Sequence, residues 1–100
     1  MKEWALVRTY NFDTDIRIWL FDTEEEACQN MEFQYSRDIE AERKEYADED
    51  PEKVFESKCF CEKEAGMARL AWRNDQTYWE DTDEYDYCLW QVQKVEGDEQ

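Results

Sequence analysis

The sequence predicts a two-layer α+β domain: an antiparallel four-stranded sheet with one long helix packed on one face, in the order β-β-α-(short α)-β-β. Three observations predict it. Residues alternate in strand period near both ends of the chain. Between them, one long stretch repeats apolar residues every three or four positions behind a helix-start signal. The 100 residues include only two Gly and one Pro, which excludes linkers and low-complexity tracts and leaves room for one core. The domain is expected over residues 1–96, with residues 97–100 as a frayed tail.

From Trp4 to Phe12, the residues Trp4, Leu6, Arg8, Tyr10 and Phe12 share one face of a strand, opposite Ala5, Val7 and Thr9. Asp13-Thr14-Asp15 supplies turn residues, and Ile16 to Phe21 forms the second arm of a hairpin. Thr23 and Glu26 then form a capping box, with Asp22, Glu24 and Glu25 adding negative charge at the positive end of the helix dipole. Cys28, Met31, Tyr35 and Ile39 make the stripe that docks on the sheet, and Phe33 falls off it. The helix is expected to end near Tyr46, before Ala47-Asp48-Glu49-Asp50-Pro51.

Residues 52–61 admit two readings. Asp50 as N-cap and Pro51 at the first helical position open a short helix through about Cys59, burying Val54, Phe55 and Cys59. The same residues also alternate as a strand; of the two, the helix is preferred. Met67 to Arg73 returns to strand period with Ala68, Leu70 and Trp72 on one side, and Asn74-Asp75-Gln76 has turn composition. The last strand is expected from Tyr87 to Val95, with Cys88, Trp90 and Val92 on one face.

Charge is the outlying property. Twenty-eight acidic residues against 12 basic ones leave a net charge of −16, and histidine is absent. Such a surface keeps a chain soluble and repels nucleic acid and anionic membranes, because DNA affinity comes largely from Lys and Arg releasing counterions. The natural partner is a basic protein surface. No signal peptide or apolar span is apparent, so a cytoplasmic protein with reduced thiols is expected.

Chemistry finds little foothold. Without histidine there is no Ser-His-Asp or Cys-His arrangement, and two isolated glycines make no phosphate loop. The four cysteines, Cys28, Cys59, Cys61 and Cys88, match no zinc spacing and read better as small hydrophobes. Asp81-Thr82-Asp83-Glu84-Tyr85 begins like a calcium loop but has Tyr85 at a ligand position and no turn glycine. The expectation is therefore no enzyme, no catalytic or metal-ligating residue and no cofactor.

The stretch from Trp4 through Phe12 with its hairpin, then Phe21-Asp22-Thr23-Glu24-Glu25-Glu26-Ala27, Ala68 to Trp72 and Trp90-Gln91-Val92, resembles small acidic proteins carried by bacterial phages and mobile elements. That resemblance implies an inhibitor of host defence or a regulator and transfers no catalytic residue.

Acidic clusters fall at Asp22–Glu26, Asp48–Glu52 and Glu80–Asp86, with Glu32, Asp38, Glu40, Glu42 and Glu45 along the helix. The third cluster has aromatics beside it. Tyr78, Trp79, Glu80, Asp81, Asp83, Glu84 and Asp86 are the candidate contacts for a basic, nucleic-acid-binding partner, whose channel such a DNA mimic would occupy. The alternative is an acidic structural or regulatory adaptor without mimicry, and the bland reading is a solvated surface. Unpaired sheet edges also allow a homodimer.

Overall fold

The alternating N-terminal residues form β1 (Trp4–Tyr10) and β2 (Arg17–Phe21), an antiparallel hairpin in which Leu6 faces Trp19 and Ala5 faces Leu20. The structure is a computed structural model that describes residues 2–80 and 84–95. Asp13 closes the loop locally, its Oδ1 accepting from the Asp15 N–H. The expected capping box is present: Thr23 Oγ1 accepts from the Glu26 N–H, and Glu26 Oε1 accepts from the Thr23 N–H. It opens α1 (Glu24–Tyr46), which ends where the sequence indicates. Thr23→Ala is expected to cost ~1 kcal/mol in a urea melt, the usual loss for an N-cap.

The apolar stripe of α1 lies on the sheet. Ala27, Cys28, Met31 and Ile39 are buried, and Phe33 is 62% exposed. Facing them are Leu6 from β1, Ala68 and Leu70 from the fourth strand, and Cys88 and Trp90 from the last. Burying each of Leu6, Met31 and Leu70 stabilises the fold by ~1.5–3 kcal/mol. Gln34 is the polar exception on the stripe: its Oε1 accepts from the Trp90 indole N–H at 3.0 Å.

The middle of the chain corrects the expected short helix and the four-strand count. Val54 makes an isolated bridge to Trp72, Glu56–Lys58 forms a single 3₁₀ turn, and Phe60–Glu62 is a short strand, β3. Pro51 sits in a turn, and the carbonyl of Ala71 captures the Phe55 N–H at 2.9 Å. Pairing with the next strand thus wins over local helix signals. Gly66, at φ 64°, closes the turn into β4 (Met67–Arg73); a Cβ there would lie 3.3 Å from Val92 Cβ.

A second difference follows β4. Asn74, expected in a turn, caps the short helix α2 (Asp75–Glu80), its Oδ1 accepting from the Thr77 N–H and hydroxyl. The final strand, β5, spans Tyr85–Lys94, two residues earlier at its start than expected. The sheet order is β2-β1-β5-β4-β3, antiparallel throughout. The observed order is therefore β-β-α-β-β-α-β, with five strands. The expected C-terminal fraying lies outside the described residues. Among those described, no helix is long and apolar enough to cross a membrane.

This sheet separates charge. The five strands hold two of the 28 acids, Glu62 and Asp86, and five of the 12 bases. Helix α1 alone holds eight acids and three bases. One side of the molecule is thus carboxylate-rich, and the bare face of the sheet is not.

Candidate functional site

The residues singled out from the sequence are divided by this fold. Asp81 and Asp83 lie outside the described residues, as do the side chains of Trp79 and Glu80. Tyr78 donates its hydroxyl to Asp50 Oδ2 at 2.9 Å, and burial together with that carboxylate pushes the phenol up to about 12. Its ring neighbours the Arg73 guanidinium, on the face of the sheet away from α1. Glu84 contributes its carbonyl, which accepts from the Thr77 hydroxyl. Asp86 pairs across strands with Trp72 and faces α1. Tyr78 and Asp86 therefore serve different surfaces.

Asp86 has other company. It lines a cavity of about 240 Å³ under the C-terminal half of α1, with Glu42, Glu45 and Tyr46 from the helix and Phe12 and Trp72 from the sheet side. An adjoining cavity of about 340 Å³ shares Phe12, Glu42 and Trp72 and continues to Arg8, Tyr10 and Asp38. The two form one cleft. Its floor is aromatic: Phe12 meets Trp72 edge-on at 6.1 Å and tilts against Tyr10 at 5.3 Å. Its walls carry Asp38, Glu42, Glu45 and Asp86.

Two cations share the cleft. Lys53 donates to the Arg73 carbonyl at 2.9 Å. Arg8 lies over the rings of Tyr10 and Trp90, each centroid 5.2 Å from its guanidinium carbon, and its Nε donates to Cys88 Sγ at 3.2 Å. Arg8 Nη1 is 3.4 Å from Asp38 Oδ2, a buried oxygen with an ion pair but no aligned hydrogen bond. Burial pushes the Glu42 carboxyl up, and the neighbouring Trp72 indole holds it back. Burial likewise pushes the Cys88 thiol up to about 11 against the pull of Arg8, so this sulfur is no nucleophile near neutrality.

Such a cleft can hold a cation. Aromatic faces attract a guanidinium or ammonium through their quadrupoles, and ringed carboxylates complete its hydrogen bonds. Drug-sized ligands occupy pockets of roughly 300–1,000 Å³, so the 240 Å³ cavity beside Asp86 is scaled to a single side chain. Among the described residues, no three Cys, Asp or Glu side chains gather as a metal-holding group, and Cys28, Cys59, Cys61 and Cys88 are unbridged.

Asp38, Glu42 and Glu45 were visible in the sequence only as helix charge. Their i, i+4, i+7 spacing was the available signal, since it places them on one stripe beside the docked face. Nothing local tied that stripe to Phe12, Trp72 or Asp86. Comparison with protein-family models, curated proteins and solved structures finds no match.

Proposed function

We propose that this chain is a binding protein whose helix-bearing, acidic side engages a basic partner of the kind that holds nucleic acid. The cleft over Trp72 accepts one of that partner's arginine or lysine side chains. An inhibitor or regulator of this type, such as an anti-defence protein of a phage or mobile element, acts by occupying a positively charged channel.

The cleft carries this reading, because carboxylates and aromatic rings converge there around a space of side-chain size. The charge density of α1 supports the mimic form of it. Eight of its 23 residues are acids, three in the first turn, Glu32 alone and four from Asp38 to Glu45. Arg37, Arg43 and Lys44 offset part of that charge, and Arg43 is turned aside by a bidentate pair with Glu56 at 2.7 and 2.8 Å.

Calorimetric titration with an oligo-arginine peptide tests the cleft. The triple variant Glu42→Gln, Glu45→Gln, Asp86→Asn is expected to bind about tenfold more weakly, a loss of ~1.4 kcal/mol, and 0.5 M salt to weaken the parent chain as well. Unchanged binding by the triple variant would remove the cleft from the interface. Capture from the native host, with and without duplex DNA as competitor, tests the mimicry. A captured basic protein that DNA does not displace would leave binding without mimicry.

A further inference from the structure

We propose that β2 is an open strand edge that takes an extended, cationic segment of a protein partner as an added strand. Backbone direction carries this. The Asn11 N–H donates to the Tyr87 carbonyl and the Glu3 carbonyl accepts from the Val95 N–H, so the odd-numbered residues of β1 bond to β5. The even-numbered ones bond to β2, where Leu6 stands opposite Trp19 and Arg8 opposite Arg17. Ile18 and Leu20 therefore direct their N–H and carbonyl groups away from the sheet. Among the described residues, no hydrogen bond reaches them there.

The sequence of this edge leaves it unguarded. Sheet edges are ordinarily blunted by Lys, Pro, a bulge or extreme shortness. β2 has five residues, ~17 Å of strand, with no Lys or Pro, and its register to β1 runs unbroken over all five. Its single charge, Arg17, lies on the α1 face opposite Arg8. β3, at the other edge of the sheet, has only three residues. Ile18 and Leu20 are 59% and 52% exposed on the face away from α1, and Ile16 just ahead of them is 62% exposed. An added strand sets its own apolar side chains beside these.

Charge chooses the occupant. Asp13 and Asp15 stand exposed before the strand and Asp22 after it, in a chain whose net charge is −16. A second copy offering the same edge brings like charge to both ends. A strand ending in Lys or Arg meets carboxylates at both. Asp22 already has Lys2 at 3.9 Å, an exposed pair that a competing cation exchanges at little cost. Neither Ile18 nor Leu20 lines the cleft over Trp72, so this surface is separate from it.

Amide hydrogen exchange followed by NMR on the full chain tests the edge. In the free chain, the Ile18 and Leu20 amides are expected to exchange at least tenfold faster than that of Trp19; slow exchange there shows a covered edge and overturns the proposal. The probe is a synthetic peptide of alternating valine and threonine with lysine pairs at both ends, added to about 1 mM. It is expected to slow Ile18 and Leu20 at least tenfold, and equally so in the triple variant at Glu42, Glu45 and Asp86, which reports on the cleft alone. Ile18→Lys with Leu20→Lys, at exposed positions, is expected to weaken binding at least tenfold. The same peptide N-methylated at its valines and threonines keeps its charge but cannot pair as a strand, and is expected to give no protection. Equal binding of that peptide overturns the proposal and assigns the attraction to the acidic surface at large. Absence of protection by the lysine-ended peptide also overturns it, as does equal protection by a glutamate-ended one, which removes the cationic occupant.

Discussion

Trp90→Ala is expected to lower the unfolding free energy by ~3–5 kcal/mol, the range for truncating a buried large aromatic. A domain of this size holds only ~5–15 kcal/mol in total, so much of the population would unfold. Trp90 is fully buried in the middle of β5, opposite Arg8 on one side and Ala68 on the other. Tyr35 meets its ring edge-on at 6.0 Å. Its indole N–H reaches Gln34 Oε1, and Gln34 is anchored in turn by donating to Asn30 Oδ1 at 2.8 Å. One side chain therefore joins α1 to three strands. Trp90→Phe separates the two contributions. It keeps most of the apolar volume and strands the Gln34 oxygen in the core, at a cost of ~1–3 kcal/mol for an unsatisfied buried acceptor. Adding Gln34→Leu to Trp90→Phe should recover part of that loss. Urea melts followed by far-ultraviolet circular dichroism measure all three; a loss under 1 kcal/mol for Trp90→Ala would remove Trp90 from the centre of the fold.

The elements whose cause is local were legible in the sequence. β1, β2, β4 and β5 each put an apolar series on the face toward α1, and a period of two survives any tertiary arrangement. The capping box of Thr23 and Glu26 was equally plain, because both partners lie within one turn. β3 was hidden for the opposite reason. Three residues are too few to show a period, and Phe60, Cys61 and Glu62 become a strand only by pairing with Arg69, Ala68 and Met67. α2 was hidden by Asn74, which caps helices and opens turns with the same side chain. The insertion of β5 between β1 and β4 has no local signature, and the cleft depends on it. Asp86 belongs with Glu42 and Glu45 only because β5 carries it beneath the end of α1. Of the charge run at residues 80–86, Asp86 is the member that the described residues bring to the helix stripe, and Asp81 and Asp83 lie outside them.

The Arg8–Asp38 pair joins stability to the candidate site, and a double-mutant cycle is expected to show strong coupling. Both side chains are about four-fifths buried, at 20% and 19% exposure. Arg8→Leu leaves Asp38 with an oxygen already short of hydrogen bonds and frees Cys88 Sγ of its donor. Removing one partner of a buried pair costs ~3–5 kcal/mol, and residual exposure with Arg37 Nε 3.1 Å from Asp38 Oδ1 argues for the lower end of that range. Asp38→Leu should cost less, because Arg8 keeps the faces of Tyr10 and Trp90. The double variant replaces a desolvated ion pair with apolar groups and is expected to be more stable than Arg8→Leu alone. Additive single losses in urea melts would show that the two charges do not depend on each other. Binding gives a readout of opposite sign. Arg8 is a cation at the inner end of a cleft proposed to accept cations, so Arg8→Leu deepens the negative potential there. Under conditions where the variant is folded, it should bind oligo-arginine more tightly while melting earlier. A purely structural role for Arg8 would weaken both.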